Sequence, residues 1–197
     1  MENLFGFIVA GFALTGSPGP ATLSLAATGA AFGARRGLPY LAGISFGMIL
    51  VMSIIATGVI GVIMAIPNVA PALTGMGGAY ILYLAYRIGT APPVEKNAEG
   101  NDQPSFFGGV FLSLVNPKAY AVMAALFSGF MLIEQAPFTD AALKITILFV
   151  ICITVDGAWL FAGSVLTRFN RDPAINRAIN VIFALLLIVS VAFALLF

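Results

Sequence analysis

The stretch Leu114-Val115-Asn116-Pro117-Lys118-Ala119 places a proline and a lysine in the middle of a run that is otherwise apolar enough to cross a membrane. A counterpart, Ser17-Pro18-Gly19-Pro20, interrupts the first apolar run. Pro18 and Pro117 lie 99 residues apart in a chain of 197. Matching interruptions of apolar segments in two halves of a chain are typical of the binding sites of secondary transporters.

The composition predicts a membrane protein. The chain is 60% hydrophobic and 9% charged, with a mean hydropathy of +1.04, whereas about 25% of the residues of a soluble domain are charged. Nine basic residues form no patch for nucleic acid. The chain has no histidine and a single cysteine, which argues against imidazole chemistry, an internal disulfide and a thiolate metal cluster. We therefore expect a lipid environment, no cofactor and no nucleic-acid partner.

The apolar runs predict six transmembrane helices, since one span needs about 20 apolar residues. The predicted spans cover residues 4–34, 39–66, 70–87, 106–132, 141–166 and 174–197. Arg35-Arg36-Gly37 is expected to close the first span, and Pro67-Asn68 to turn the chain between the second and third. Residues 134–140 are expected to form a loop, and Asp172-Pro173 to start the sixth span.

The spans divide the single transmembrane domain into two halves. Repeat 1 covers about residues 1–90 and repeat 2 about residues 106–197, joined by a polar linker over residues 88–105. Residue pairs at the offset of 99 include Phe7 with Phe106 and Gly58 with Gly157. Three spans per half is an odd number, so the halves must insert in opposite orientations. The sequence thus predicts two inverted three-helix repeats whose first helices, the first and fourth of the chain, are broken at proline.

The basic residues predict the orientation of the chain. With the N-terminus outside, the inner segments hold seven of them and the outer segments one, Lys144. The seven are Arg35, Arg36, Arg87, Lys96, Arg168, Arg171 and Arg177. By the positive-inside rule both termini are expected outside.

The two interruptions share a local chemistry. Ser17 and Asn116 are residue types that cap helix N-termini, and the prolines after them suit the first helical position. Each pair is expected to start a half-helix near the middle of the membrane, where its N-terminus favours an anion such as a carboxylate. Gly19 would let the backbone approach a small ligand. The alternative is that these prolines are ordinary kinks of membrane helices.

Lys118 and Asp156 are the charges placed deepest in the predicted spans, and each costs about 2.5–3.5 kcal/mol at the bilayer centre. The functional hypothesis is that Lys118 attracts a substrate carboxylate while Asp156 takes up a proton or binds the substrate amine. The alternative is a structural ion pair between the fourth and fifth spans. Trp159, three residues after Asp156, either lines the same cavity or packs. Tyr80, Tyr83 and Tyr86 predict packing with an interfacial anchor, with pathway lining as the alternative.

These motifs resemble those of the LysE/RhtB amino-acid exporters of bacteria. The matching pieces are Ser17-Pro18-Gly19-Pro20, residues 33–37 with Gly43 and Gly47, residues 77–87, Phe107-Gly108-Gly109 and Asn116-Pro117-Lys118-Ala119. The Asp156 to Trp159 region is also similar. The resemblance implies a six-span protein of the bacterial inner membrane that exports amino acids or close derivatives by proton-coupled antiport with alternating access.

Other functions stay open at this stage. One is export of an ion or another small metabolite, and the other is a structural membrane protein that transports nothing. An intramembrane enzyme is disfavoured, because it would need an acid–base or metal-binding set of residues. The sequence also leaves open whether the chain forms a homo-oligomer. The predicted pathway residues are Ser17, Pro18, Gly19, Pro20, Asn116, Pro117, Lys118, Asp156 and Trp159.

Overall fold

The computed structural model describes residues 2–58, 61, 65–91, 103–168 and 173–196. Within these ranges the chain forms eight helices and no strand, which confirms the all-α class. The helices are α1 (Glu2–Gly16), α2 (Pro20–Phe32), α3 (Ala34–Ala56), α4 (Val69–Gly89), α5 (Phe106–Val115), α6 (Pro117–Gly129), α7 (Pro137–Arg168) and α8 (Pro173–Leu196). Most of the predicted linker, residues 92–102, lies outside the described residues.

The helices give a multi-pass membrane protein. Helices α3, α7 and α8 are each long and apolar enough to cross a bilayer. Helices α1 and α2 form a fourth such unit bent by 59°, and α5 and α6 a fifth bent by 63°. Helix α4 has 21 residues, about 31 Å at 1.5 Å per residue, but it is not among the candidate spans found in the described part of the chain. A six-span topology therefore stays a prediction.

Both interruptions break a helix, but they do so differently. Asn116 caps α6 as expected: its side-chain oxygen accepts a hydrogen bond from the backbone N–H of Lys118 at 3.1 Å. The predicted cap at Ser17 is wrong, because Ser17 directly follows the end of α1 and its hydroxyl donates to the Leu14 carbonyl. Gly19 is the residue before α2, which begins at Pro20. With two prolines available, the second takes the first helical position.

Several predicted boundaries are corrected by the structure. Arg35 and Arg36 lie in the first turn of α3, because the chain breaks earlier, at Gly33, whose φ of +83° favours glycine. Helix α3 ends at Ala56 rather than near residue 66, and Gly58 follows at a φ of +71°. Positive-φ glycines, rather than charges, set these boundaries.

Helix α7 begins at Pro137, so the loop predicted over residues 134–140 ends early. Asp140 lies in the first turn of α7, and one of its carboxylate oxygens accepts hydrogen bonds from the backbone N–H groups of Leu132 and Ile133. The other pairs with Lys144 at 2.6 Å. The carboxylate thereby fixes the connection between α6 and α7.

The helices pack as interlocking pairs. Helix α2 packs most extensively against α7, α3 against α5, and α4 against α8. All three pairs join the first half of the chain to the second. Helices α1 and α6 have fewer neighbours. This arrangement sets the two broken helices side by side and leaves space between them next to α1 and α6.

Candidate functional site

A cavity of about 50 Å³ lies where the two helix breaks meet. Its polar lining consists of Thr15, Gly19, Thr22, Asn116, Lys118 and Asp156. Its apolar lining includes Ile44, Met48, Val122, Met123 and Cys152. A few polar groups converging on one part of an otherwise apolar pocket are typical of small-molecule sites.

Lys118 connects the two breaks across the cavity. Its ammonium group donates hydrogen bonds to the Ser17 carbonyl, to the Ser17 hydroxyl at 2.8 Å and to the Pro18 carbonyl at 3.2 Å. These carbonyls follow the end of α1, where backbone acceptors lack helical partners and the helix dipole is negative. Lys118, in the second half of the chain, therefore donates hydrogen bonds to backbone carbonyls at the break in the first half.

Asp156 faces the cavity from α7 with only 6% of its surface exposed. None of the described residues donates a hydrogen bond to its carboxyl group, and it forms no direct ion pair with Lys118, although the two interact electrostatically. The structure thus brings Lys118 and Asp156 to one cavity without joining them. An acidic group that is buried, unpartnered and open to a cavity is available to a ligand or a proton.

The other predicted pathway residues surround the breaks. Trp159 does not line the cavity; its indole N–H donates to the Gly16 carbonyl at 3.4 Å and ties α7 to the end of α1. Pro20 and Pro117 begin α2 and α6, and Pro18 lies in the first break. Among the nine predicted residues, Gly19, Asn116, Lys118 and Asp156 line the cavity.

Comparison with known proteins identifies the class of molecule that carries this cavity. A family model described as LysE type translocator matches residues 12–197. The chain belongs to the LysE type translocator family. It is therefore a transporter and not an enzyme.

This LysE family member also has named relatives. It is 30% identical over 173 residues to the "Cysteine/O-acetylserine efflux protein" of Salmonella choleraesuis (strain SC-B67), and the match covers 87% of each chain. The protein of the same name from Escherichia coli (strain K12) is 28% identical, again over 87% of each chain. No solved structure matches the chain significantly.

Sequence reasoning missed part of the cavity wall of this LysE family member. Cys152 lies four residues before Asp156 and so shares its helix face, which is a signal that the sequence did carry. Met48 and Met123 are buried at 7% and 1% exposure, and their position on the cavity depends on how α3 and α6 pack. No local pattern distinguishes them from ordinary core methionines.

The tyrosines of α4 pack and anchor rather than line the cavity. Tyr80 packs edge-on against Phe111 with ring centroids 5.2 Å apart. Tyr83 is half exposed and accepts a hydrogen bond from Arg87 at 3.0 Å. Tyr86 is 70% exposed. None of the three belongs to the cavity lining.

Proposed function

We propose that this LysE family member exports small neutral amino acids or close derivatives across the bacterial inner membrane in exchange for protons. The observation that carries the proposal is the cavity between the two broken helices, which holds Lys118 and Asp156, whose carboxyl group receives no hydrogen bond from the described residues. The names of the relatives, cysteine/O-acetylserine efflux proteins, support an amino-acid substrate.

The polar part of the cavity suits the charged groups of an amino acid. Ala21 and Thr22 lie in the first turn of α2, where backbone N–H groups point out of the helix and the dipole is positive. This helix start and Lys118 would hold the substrate carboxylate. Asp156 would hold the substrate amine through a charge-assisted hydrogen bond.

The apolar part of the cavity supports a short, uncharged side chain. Ile44, Met48, Val122 and Met123 lie on α3 and α6, away from the breaks. Methionine is flexible and polarizable, so it fits against sulfur-containing and other small side chains. A cationic side chain would need a second carboxylate, and the described lining residues contain only Asp156.

Asp156 would also couple export to the proton gradient. Its carboxyl group can bind either the substrate amine or a proton, but not both at once. If the cavity is exposed to each side of the membrane in turn, a proton that displaces the substrate outside is released inside, where new substrate replaces it. Competition for one buried carboxylate thus gives an exchange of substrate for protons.

The two-repeat architecture and the orientation belong to the same proposal. The two bends, 59° and 63°, lie at corresponding places in the halves, as inverted repeats require. Arg35 and Arg36 at the start of α3 and Arg87 near the end of α4 would face the cytoplasm. Both termini would then face outward.

Efflux from proteoliposomes tests the function. Vesicles preloaded with cysteine, O-acetylserine, serine, alanine or lysine are diluted into buffer at equal or lower pH. We expect the neutral amino acids to leave faster than lysine, and faster still into the more acidic buffer. Empty vesicles and the Asp156→Asn variant are the controls. Intact, correctly inserted protein that moves none of these amino acids would overturn the proposal.

A further inference from the structure

The two ends of the bundle are packed differently around the cavity. We call the end that contains α2 and α5 the α2/α5 side, and the end that contains α1 and α6 the α1/α6 side. We propose that the structure is the state open toward the α1/α6 side, and that glycine contacts between α2 and α7 and between α3 and α5 form the barrier that opens on the other side.

The position of the cavity supports the first part of the proposal. Helix α1 contributes Leu14 and Thr15 to its lining, and α6 contributes its first two turns. Helix α2 contributes only residues of its first turn, and no residue of α5 takes part. The space therefore begins at the breaks and extends toward the α1/α6 side.

Beyond the cavity, α2 and α7 touch backbone to backbone. Gly163 on α7 faces the backbone of Ala26, and Gly29 on α2 faces the backbone of Leu160. A Cβ atom at either glycine would overlap that backbone. Helices that pack this closely leave no path for a solute.

Helices α3 and α5 close the other half of the barrier in the same way. Gly43 faces the backbone of Phe106, and Gly109 faces that of Tyr40. The hydroxyl of Ser113, 1% exposed, donates to the Ile44 carbonyl at 3.0 Å. Since Ile44 lines the cavity, this bond lies directly at the cavity floor.

A buried pair of hydroxyl groups completes the floor. Tyr40 is fully buried, and its hydroxyl donates to the Ser24 hydroxyl at 3.0 Å, joining α3 to α2. Contact on the α1/α6 side is made through side chains instead: a Cβ atom at Gly11 would meet only the side chains of Ile151 and Leu148. Side chains can rearrange when a pathway opens, whereas closely packed backbones must separate as rigid helices.

This difference predicts which substitutions shift the transporter between states. A methyl group at Gly163 makes the closed barrier unfavourable without touching the cavity lining. One at Gly109 does so by meeting the backbone of Tyr40 and of Ile44 rather than any side chain of the lining. The alternative state, in which the helix pairs have separated, has room for it. These two glycines are therefore gating residues, and the proposal does not depend on which solute is carried.

Thiol labelling reads out the open side. Cys152 is the only cysteine of the chain and lines the cavity. In a Cys152→Ser background, Val122→Cys places a reporter on the less buried α6 wall. Two exposed reference cysteines identify the face of the protein that the reagent reaches. They are Arg35→Cys for the α2/α5 side and Gln135→Cys for the α1/α6 side. The probe is a membrane-impermeant methanethiosulfonate added to sealed vesicles of either orientation.

We expect the Val122→Cys reporter to react faster from the α1/α6 side, and native Cys152 in the unmodified chain to show the same preference. Gly163→Ala and Gly109→Ala should each shift the ratio of the two labelling rates by about tenfold or more toward the α2/α5 side. The matched control is Gly157→Ala, also on α7, where a Cβ atom would meet nothing within 4 Å. It should label as the parent does.

Two results would overturn the proposal. One is a reporter that labels equally from both sides, or faster from the α2/α5 side, in the parent chain. The other is a folded Gly163→Ala or Gly109→Ala variant with the labelling ratio of Gly157→Ala. If neither glycine variant elutes as a monodisperse protein, Ser113→Ala replaces them, because it removes the bond to Ile44 without adding volume. It should shift the ratio in the same direction, and an unchanged ratio would again refute the barrier.

Discussion

The ammonium group of Lys118 donates a hydrogen bond to the backbone carbonyl of Ser17, 101 residues earlier in the chain. A side chain in the first turn of α6 thus donates a hydrogen bond to a backbone carbonyl just beyond the end of α1. The two interruptions of the helices form one structural unit, and the cavity lies within it. A substrate carboxylate that attracts the lysine would compete with these carbonyls, so binding and the geometry of the break are linked.

Replacement of Lys118 tests this link. Lys118→Gln keeps much of the length of the side chain but loses the charge and one of three N–H donors. We expect efflux to fall to background and thermal stability to decrease by about 1.5–3 kcal/mol, the range for hydrogen bonds to charged groups. Proteoliposome efflux and thermal unfolding in detergent measure the two effects.

Lys144 provides a matched control for that variant. It likewise donates to a backbone carbonyl, that of Phe127 at 3.1 Å, but it is more buried than Lys118 and lies outside the cavity beside Asp140. Lys144→Gln should lower stability to a similar extent while the efflux per folded molecule is retained. Equal loss of efflux in both variants would mean that Lys118 is structural only.

Asp156→Asn separates coupling from folding. The amide has the size of the carboxyl group but neither ionises nor attracts an amine. We expect a folded protein whose remaining efflux no longer responds to an imposed pH gradient. The measurement compares efflux rates with and without the gradient. Asp140→Asn, in the first turn of α7, should lower stability yet leave the response to the gradient intact. A gradient response that survives in Asp156→Asn contradicts the proposed coupling.

The sequence predicted the helical class and both breaks because proline in an apolar run has a local effect on the backbone. The depth of Lys118 and Asp156 in the membrane stays a prediction, which rests on charges that stand out against apolar neighbours. The first helix cap was misassigned because Pro18 and Pro20 both suit a helix start, and only packing selects between them. The ends of α3 were predicted wrongly because they are set by the positive φ angles of Gly33 and Gly58, which the sequence does not reveal, and not by the neighbouring charges.

The cavity wall was less predictable than the breaks. The way in which α3, α6 and α7 cross determines which of their faces turn toward one another. Apolar residues dominate the lipid side as well as the core; Val189 and Ile182, for example, are more than half exposed on α8. The sequence alone therefore does not distinguish a methionine that contacts lipid from one that contacts the core or the substrate.

Gly19→Ala tests the closeness of Lys118 to the first break. A Cβ atom at Gly19 would lie 2.7 Å from Cδ of Lys118 and 2.9 Å from its Nζ. The backbone at Gly19 is extended, with a φ of −172°, so alanine causes no backbone strain there. We expect the methyl group to displace the lysine and to reduce efflux about tenfold or more. Gly16→Ala, with nothing within 4 Å of the added Cβ atom, should keep parental efflux. Equal efflux in the two variants would show that the lysine position does not matter.

Met48 tests which part of the cavity receives the substrate side chain. Met48→Ala enlarges the apolar end next to Ile44, so larger neutral amino acids such as leucine should gain access. We expect the efflux of leucine relative to cysteine to rise about tenfold, the effect of a small change in pocket size. Competition between labelled cysteine and unlabelled leucine in proteoliposomes measures the ratio.

Met52 gives this experiment its control, because it is a fully buried methionine one turn further along α3 that does not line the cavity. Both truncations remove the same atoms and lower stability by about 2–5 kcal/mol, depending on how far each site collapses. Only Met48→Ala should change the preference among substrates. A change of preference in both variants would indicate general loosening of the helices, and a change in neither would place the substrate side chain elsewhere in the cavity.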